Sequence, residues 1–232
     1  MMNVLIFGAT GMVGQGVLRQ CLLADDVARV LTIGRRATGV DDRKLRDIVQ
    51  PDLFDYRALE TELRDIDACF FCLGTSSVGQ NETDYARVTF DLTLAAARAL
   101  VRANPRATFV YVSGAGADST GGGRTMWARV RGRTENALLA MPFASVAVFR
   151  PAVIQPLHGA RSKTPLYRLF YAAFAPFVSV LKLLAPRLVS TTESIGNAML
   201  EVARHGAPQA ILDTVDINEL ARGAARTGMR AA

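Results

Sequence analysis

The sequence predicts an α/β fold, a doubly wound parallel sheet followed by a small, mostly helical C-terminal part. Short apolar runs recur through the first two thirds of the chain, helix-compatible segments separate them, and a glycine follows the first run at once. Strands that are apolar throughout and alternate with helices are typical of a parallel sheet covered on both faces. We expect the crossovers between these strands to be right-handed.

Six apolar runs are predicted as strands, at residues 3–7, 30–33, 48–49, 68–73, 108–112 and 145–149. Helices are predicted over residues 12–24, 56–63, 83–103 and 125–139, and Met141-Pro142 ends the last of them. Between the last two helices, the glycine-rich residues 119–124 are predicted to form a loop.

Residues 156–232 are expected to form a helical substrate- or partner-binding region integrated with the first domain. Residues 165–188 are rich in aromatic residues and leucine, and their uncharged centre, 169–181, is shorter than the ~20 residues of a membrane-spanning helix. We expect two helices here that cover the sheet or pair with a second subunit as a homodimer; an interfacial membrane helix remains an alternative. A further helix is predicted over 193–204, with Gly206 as its C-cap.

Composition narrows the function classes. The net charge of +6 comes with arginines scattered along the chain, a distribution that does not favour nucleic-acid binding and suits a phosphate-bearing ligand. The 3 cysteines argue against a disulfide framework, and Cys69 and Cys72 are interpreted as core residues of a strand. The N-terminus has no basic region or cleavage site typical of a secretory signal, so a cytoplasmic location is predicted.

Three glycines carry the functional prediction: Gly8, Gly11 and Gly14 lie between the first strand and the first helix. The first permits a sharp turn, the second lets backbone amides approach a pyrophosphate, and the third lets the helix pack closely on the sheet. A helix N-terminus also attracts phosphate. Residues 1–155 are therefore predicted to be an NAD(P)-binding Rossmann domain.

The end of the second strand bears on which dinucleotide is bound. An NAD enzyme usually places an Asp or Glu there, whereas this chain has Arg35 and Arg36. Guanidinium groups suit a 2′-phosphate. NADP(H) is therefore favoured, and NAD(H) remains possible.

Several short stretches resemble the extended and atypical short-chain dehydrogenase/reductase superfamily, whose members include NAD-dependent epimerases and dehydratases. Within it, the sequence is most similar to the oxidoreductase group that includes the Tat-interacting protein. The matching stretches are Gly8–Gly14, Ile33–Arg36, Asp52-Leu53, Cys72–Thr75, Tyr111–Gly114, Gly116–Asp118, Gly132–Glu135 and Phe149–Pro151.

The resemblance implies a set of cofactor contacts. It places Thr10, Met12 and Val13 at the pyrophosphate and the two arginines at the adenosine phosphate. It further implies that the adenine, the ribose and the nicotinamide end are bordered by Asp52, Leu53, Leu73, Gly74, Thr75, Ser113, Arg131, Pro151 and Val153.

The resemblance also identifies the candidate catalytic residues. Ser113 matches the serine that holds the substrate carbonyl, while Trp127 and Arg131 stand where active members carry Tyr and Lys. Tryptophan cannot act as a general acid near neutral pH. Arg131 can still donate to the nicotinamide ribose and keep a positive charge in the pocket. Tyr85 and Tyr111 are alternative phenols.

The remaining polar candidates are interpreted as structural. His158 is predicted in a loop and His205 in the last turn of a helix, while Glu135 and Asp118 are interpreted as solvated or capping side chains. With 2 histidines and no clustered carboxylates, no metal site is predicted.

Two classes of function follow. One is an NADP(H)-dependent oxidoreductase acting on an unknown small carbonyl or hydroxyl compound, and the other is a catalytically weak, cofactor-binding redox sensor or regulatory module. A nucleotide-sugar epimerase is less favoured, because that chemistry normally uses the replaced tyrosine.

Overall fold

The computed structural model describes residues 1–160 and 188–230, and for residues 224–230 it describes the backbone alone. Its strands are β1 (Met2–Phe7), β2 (Val27–Gly34), β3 (Leu45–Val49), β4 (Ala68–Phe71), β5 (Thr108–Val112), β6 (Ser145–Arg150), β7 (Val153–Gln155), β8 (Val189–Thr191) and β9 (Ile211–Asp213). Seven of them form one sheet in the order β3-β2-β1-β4-β5-β6-β9, and β7 pairs with β8 separately. All these pairings are parallel.

The helices are α1 (Met12–Leu23), α2 (Glu60–Leu63), α3 (Glu82–Ala86), α4 (Leu92–Ala103), α5 (Met126–Leu139), α6 (Thr192–His205) and α7 (Thr214–Arg230). A 3₁₀ turn precedes α2, and a π-helical segment, Arg87–Asp91, joins α3 to α4. The long alanine-rich helix predicted over 83–103 is therefore continuous but locally widened.

The predicted doubly wound parallel sheet is confirmed. All six predicted strands are present within a few residues of the expected bounds, and so are the predicted helices before residue 160 and the one over 193–204. Strands β7, β8 and β9 and helix α7 were not predicted. Each of these strands has 3 residues, too few for a hydrophobic period to be recognised.

The two helices predicted over 165–188, and with them the possible dimer or membrane contact, lie outside the described residues. Within the described parts of the chain, none of the helices has both the length and the apolar content needed to span a membrane.

Alternate residues of each strand serve the two faces of the sheet. In β1, Leu5 and Phe7 pack into a cluster with residues of α2, α4 and α5. Val4 and Ile6 pack into a second cluster with residues of α1, α6 and α7. Because all four side chains are at most 1% exposed, the central strand is buried on both faces, as a parallel sheet requires.

Helices α1 and α6 cross at a short distance, because each carries a glycine where it faces the other helix. A Cβ at Gly16 would lie 2.5 Å from Thr192 Cβ, and one at Gly196 would lie 2.8 Å from Gln20 Cγ. Gly16 thus meets Thr192, and Gln20, four residues later, meets Gly196, which is four residues after Thr192. The two helices therefore run parallel, and both begin at the carboxyl edge of the sheet.

We expect Gly16→Ala to lower the free energy of unfolding by about 1–3 kcal/mol, because the added methyl group overpacks the helix crossing. Gly223→Ala in α7 is the matched control: a Cβ there meets nothing within 4 Å, so alanine's helix propensity should raise stability by up to about 1 kcal/mol. Urea denaturation of both variants measures the difference. Equal effects of the two substitutions would contradict the close approach of α1 and α6.

Candidate cofactor and active site

The residues predicted to bind a cofactor come together at the carboxyl edge of the sheet. Main-chain hydrogen bonds connect the loops that leave neighbouring strands: Cys72 N donates to Phe7 O at 3.0 Å, and Ser113 N donates to Phe149 O at 2.8 Å. Ala115 N donates to Pro151 O at 3.0 Å. The crevice outside this edge is where ligands bind in open α/β sheets.

The glycine loop is packed too tightly for any other residue at two of its positions. Gly8 has φ of 76°, and a Cβ there would lie 2.7 Å from the backbone at Cys72 and Leu73. A Cβ at Gly14 would lie 2.1 Å from the Gly8 carbonyl oxygen. The turn is closed by a hydrogen bond of 2.8 Å from Gly11 N to Gly8 O.

The amino end of α1 fits a dinucleotide pyrophosphate. Its N-cap, Gly11, has no side-chain hydrogen bond to the first-turn amides, and the first turn contains no acidic residue. These amides and the helix dipole are therefore available to an anion. Thr10, Met12 and Val13 are partly exposed around this turn, as the predicted pyrophosphate contacts need to be.

The loop that carries Arg35 and Arg36 is fixed by an aspartate on the next strand. One Asp47 oxygen accepts hydrogen bonds of 2.8 Å from the main-chain N–H and the hydroxyl of Thr38, and the other accepts from the hydroxyl of Thr32. This carboxylate is therefore engaged inside the loop. Both arginines are exposed, and neither has an ion-pair partner among the described residues.

The other predicted cofactor residues line the same edge with different exposure. Leu53 and Pro151 are buried, Leu73, Thr75 and Val153 are partly buried, and Asp52 and Gly74 are exposed. The Asp52 carboxylate accepts a hydrogen bond from Phe54 N at 2.9 Å, and Thr75 Oγ1 accepts one from Gln80 Nε2 at 3.1 Å.

Ser113 is buried and its hydroxyl donates to Glu135. Glu135, interpreted from sequence as a solvated or capping residue, is instead fully buried and forms an ion pair with Arg150. Arg150 Nε lies 3.1 Å from Glu135 Oε1, and its Nη2 also donates to Ser119 Oγ at 2.6 Å. The Ser113 proton is thus directed away from the cleft, toward a carboxylate that joins β5, β6 and α5.

Sequence reasoning missed this network, although the signal was present. Glu135 and Arg150 both lie in stretches that carried the family resemblance. A charged residue on the apolar face of a helix, together with an arginine at the end of a buried strand, is the pattern of a buried ion pair.

Arg131 lies between the loops that follow β4 and β5. Its Nε donates to the hydroxyl of Tyr85 at 3.0 Å, and a Cβ at Gly74 or at Gly114 would each lie 4.0 Å from one of its terminal nitrogens. Burial lowers the pKa of this guanidinium, but the phenols of Tyr111 and Tyr85 raise it, and the net change is upward. The side chain therefore holds a permanent positive charge at the cleft.

Trp127 lies on the first turn of α5 and packs with Tyr85 and Val130. The edge of its ring would be 3.3 Å from a Cβ at Gly116, whose φ is 88°. The positive φ favours glycine at this position, and an added Cβ would crowd the indole. The ring covers the loop after β5, where it closes one side of the cleft near Arg131.

The alternative acid–base candidates are placed as follows. Burial raises the pKa of Tyr111 to about 12, which makes this phenol a poor acid–base group near neutral pH. Tyr85 is buried and accepts from Arg131. His158 is exposed, with φ of 53°, and lies 2.6 Å from Glu193. Asp118 accepts from Gly123 N at 2.7 Å and so organises its loop.

Known proteins match both the sequence and the fold. Residues 4–124 match the model of the NAD dependent epimerase/dehydratase family. A mitochondrial protein named fmp52 from Emericella nidulans is 30% identical over 190 residues, covering 78% of this chain and 80% of that one. HTATIP2 from Rattus norvegicus is 28% identical over 155 residues, covering 66% and 62%. These matches confirm the resemblance that the motifs indicated.

Among solved structures, the Bordetella bronchiseptica enzyme WbmF in complex with NAD+ superposes with a TM-score of 0.67 at 16% identity, over 97% of this chain and 78% of that one. An NAD(P)-binding Rossmann fold is thereby confirmed. The cytoplasmic location expected from the N-terminal sequence is contradicted by the fungal relatives, which are named mitochondrial proteins.

We expect Glu135→Gln to lower the free energy of unfolding by about 3 kcal/mol, because it leaves the partly buried Arg150 without a charged partner and removes the carboxylate that joins it to Ser113. Glu82→Gln is the control, since it removes a partly exposed ion pair with Arg129 and should cost less than about 1 kcal/mol. Urea denaturation compares the two variants. Similar losses would mean that the buried pair contributes no more than a surface pair does.

Proposed function

The chain belongs to the NAD-dependent epimerase/dehydratase family, and we propose that it is an NADP(H)-binding oxidoreductase acting on a small carbonyl or hydroxyl compound. The observation that carries this proposal is the arrangement at the carboxyl edge of the sheet. A glycine cradle with free helix amides opens at the same edge as a permanent cation, Arg131, and an aromatic wall, Trp127.

Arg35 and Arg36 support the choice of NADP(H). Both are exposed at the end of β2, where the adenosine ribose of a dinucleotide lies in this fold. Asp47, on the neighbouring strand, accepts hydrogen bonds from two threonines, so its oxygens are already engaged within the loop. Bidentate pairing with a 2′-phosphate would use both guanidiniums.

The side chains of the cleft can be assigned separate tasks. Arg131 draws the electron-rich group of the substrate and donates to the nicotinamide ribose, while Trp127 excludes water from one side. Ser113 would have to exchange its bond with Glu135 for one to the substrate, so it is secondary to Arg131 in polarising a carbonyl. When bound, the reduced nicotinamide supplies a hydride to the carbonyl carbon, and the oxygen takes its proton from water.

A cofactor-binding redox sensor is the second candidate. The observation that favours it is the loss of the two hydroxyl groups that the family normally uses: Trp127 replaces the tyrosine, and the Ser113 hydroxyl donates to Glu135. A sensor would bind NADPH and NADP+ with different affinities and change its association state with the ligand.

We expect the double variant Arg35→Gln, Arg36→Gln to raise the Kd for NADPH about tenfold or more, through lost charge-assisted hydrogen bonds, and to leave the Kd for NADH nearly unchanged. Energy transfer from Trp127, the single tryptophan, to bound nicotinamide measures both constants. The control is Arg102→Gln, which removes an exposed arginine from the last turn of α4. Equal loss for both cofactors would rule out a 2′-phosphate site.

Restoring the family pair by Trp127→Tyr with Arg131→Lys should raise carbonyl reduction by about a hundredfold, because it reinstates a general acid. NADPH oxidation over a panel of aldehydes, ketones and oxo acids is the assay. If neither the wild type nor the double variant shows turnover while both bind the cofactor, the oxidoreductase proposal is wrong and the redox sensor is favoured.

A further inference from the structure

Arg131 has no carboxylate partner in the described part of the chain. Its polar contacts there are the Tyr85 hydroxyl and, at 3.4 Å, the carbonyl oxygen of Val112. Glu135, one helical turn further along α5, is already bound by Arg150. A guanidinium does not lose its proton, so this charge is held in a partly buried position by neutral hydrogen-bond partners, and the one carboxylate that acts on it, Glu135, is already paired with Arg150.

The residues whose side chains the structure does not describe contain no acidic side chain that could pair with Arg131. Residues 161–187 contain three arginines and two lysines but no Asp or Glu, and residues 224–230 contain no acid. Removing an unpaired charge from water costs free energy. Such a charge is retained at sites where a ligand of opposite charge pairs with it.

We propose that the substrate carries a carboxylate next to its reacting carbonyl or hydroxyl group, a 2-oxo or 2-hydroxy acid, and that Arg131 binds this carboxylate. The inference rests on the proposed oxidoreductase function and names its substrate class. It also explains why arginine stands where related proteins carry lysine: only arginine presents a planar fork that matches two carboxylate oxygens.

The orientation of the fork supports this assignment. Its Nε points back to Tyr85, which fixes the plane of the group, while the terminal nitrogens point toward Gly74 and Gly114. Neither residue has a side chain that would cover those nitrogens. Trp127, against Gly116, supplies an apolar surface on the same side of α5 for the rest of the molecule.

Matched probes separate charge from shape. Pyruvate and 2,3-butanedione have nearly the same size, and so do phenylglyoxylate and 1-phenyl-1,2-propanedione, but only the first of each pair carries a carboxylate. Each probe is titrated calorimetrically into protein saturated with NADP+, which cannot reduce it. Four proteins are compared: wild type, Arg131→Gln, Arg131→Lys and Arg133→Gln, the last removing an exposed charge from the same helix.

We expect the wild type to bind one or both carboxylates at least tenfold more tightly than the matched diketone. Arg131→Gln should remove this preference, Arg131→Lys should retain part of it, and Arg133→Gln should retain all of it. Arg131→Gln should also raise the Kd for NADP+, because the bond to the nicotinamide ribose is lost, so every titration is made at an NADP+ concentration that saturates the variant. Thermal unfolding of each variant checks that the fold is intact.

Two results would overturn the proposal: no preference for carboxylate in either probe pair, or a preference that survives Arg131→Gln. Failure of the proposed function is a separate result, in which the wild type does not bind NADP+. The carboxylates are then titrated into the free protein, where Arg131-dependent binding supports the carboxylate site and absence of binding overturns it.

Discussion

The close approach of backbone to backbone at Gly8 is the constraint on which the rest of the site depends. The turn after β1 lies against the Cys72–Leu73 peptide with no space for a Cβ, and Gly14 lies against Gly8 in the same way. These contacts set the position of α1 relative to β1 and β4, and therefore the direction in which its free amides point. The loop after β4 is held by the same contact, so the loops that follow β1 and β4 are positioned together.

Much of the fold could be predicted from local sequence, because apolar runs and glycine punctuation are local signals. The six long strands and the helices between them were found in this way. Strands β7 to β9 could not be predicted, because a three-residue strand is defined by its hydrogen-bonding partner and is too short to show a hydrophobic period. Helix α7, with its polar start at Thr214, also gave no sufficient apolar signal.

The same physical reason explains why only part of the candidate site could be predicted from the sequence. The glycine loop and the arginines after β2 are contiguous in sequence, so their tasks could be inferred from position. The Ser113–Glu135–Arg150 network joins residues 22 and 15 positions apart, from two strands and a helix. The position of Glu135 on an apolar helix face hints at a buried ion pair, but only the assembled fold identifies Arg150 as its partner and shows that the Ser113 hydroxyl donates to the carboxylate. Arg131 could be singled out as a substitution, but its contact with Tyr85 depends on how α3 packs on α5.

The glycine crossing of α1 and α6 couples two parts of the molecule mechanically. At Gly16 and Gly196 each helix lies directly against a residue of the other, Thr192 and Gln20, so a relative displacement of the two helices would at once meet close contacts. A displacement of α1 would therefore move α6 with it as a rigid body. Strand β8 ends at the N-cap of α6, and the chain from residue 188 onward leads into it. The position of the glycine loop thus also sets the positions of α6 and β8, so the first helix and the C-terminal part of the described chain are mechanically linked.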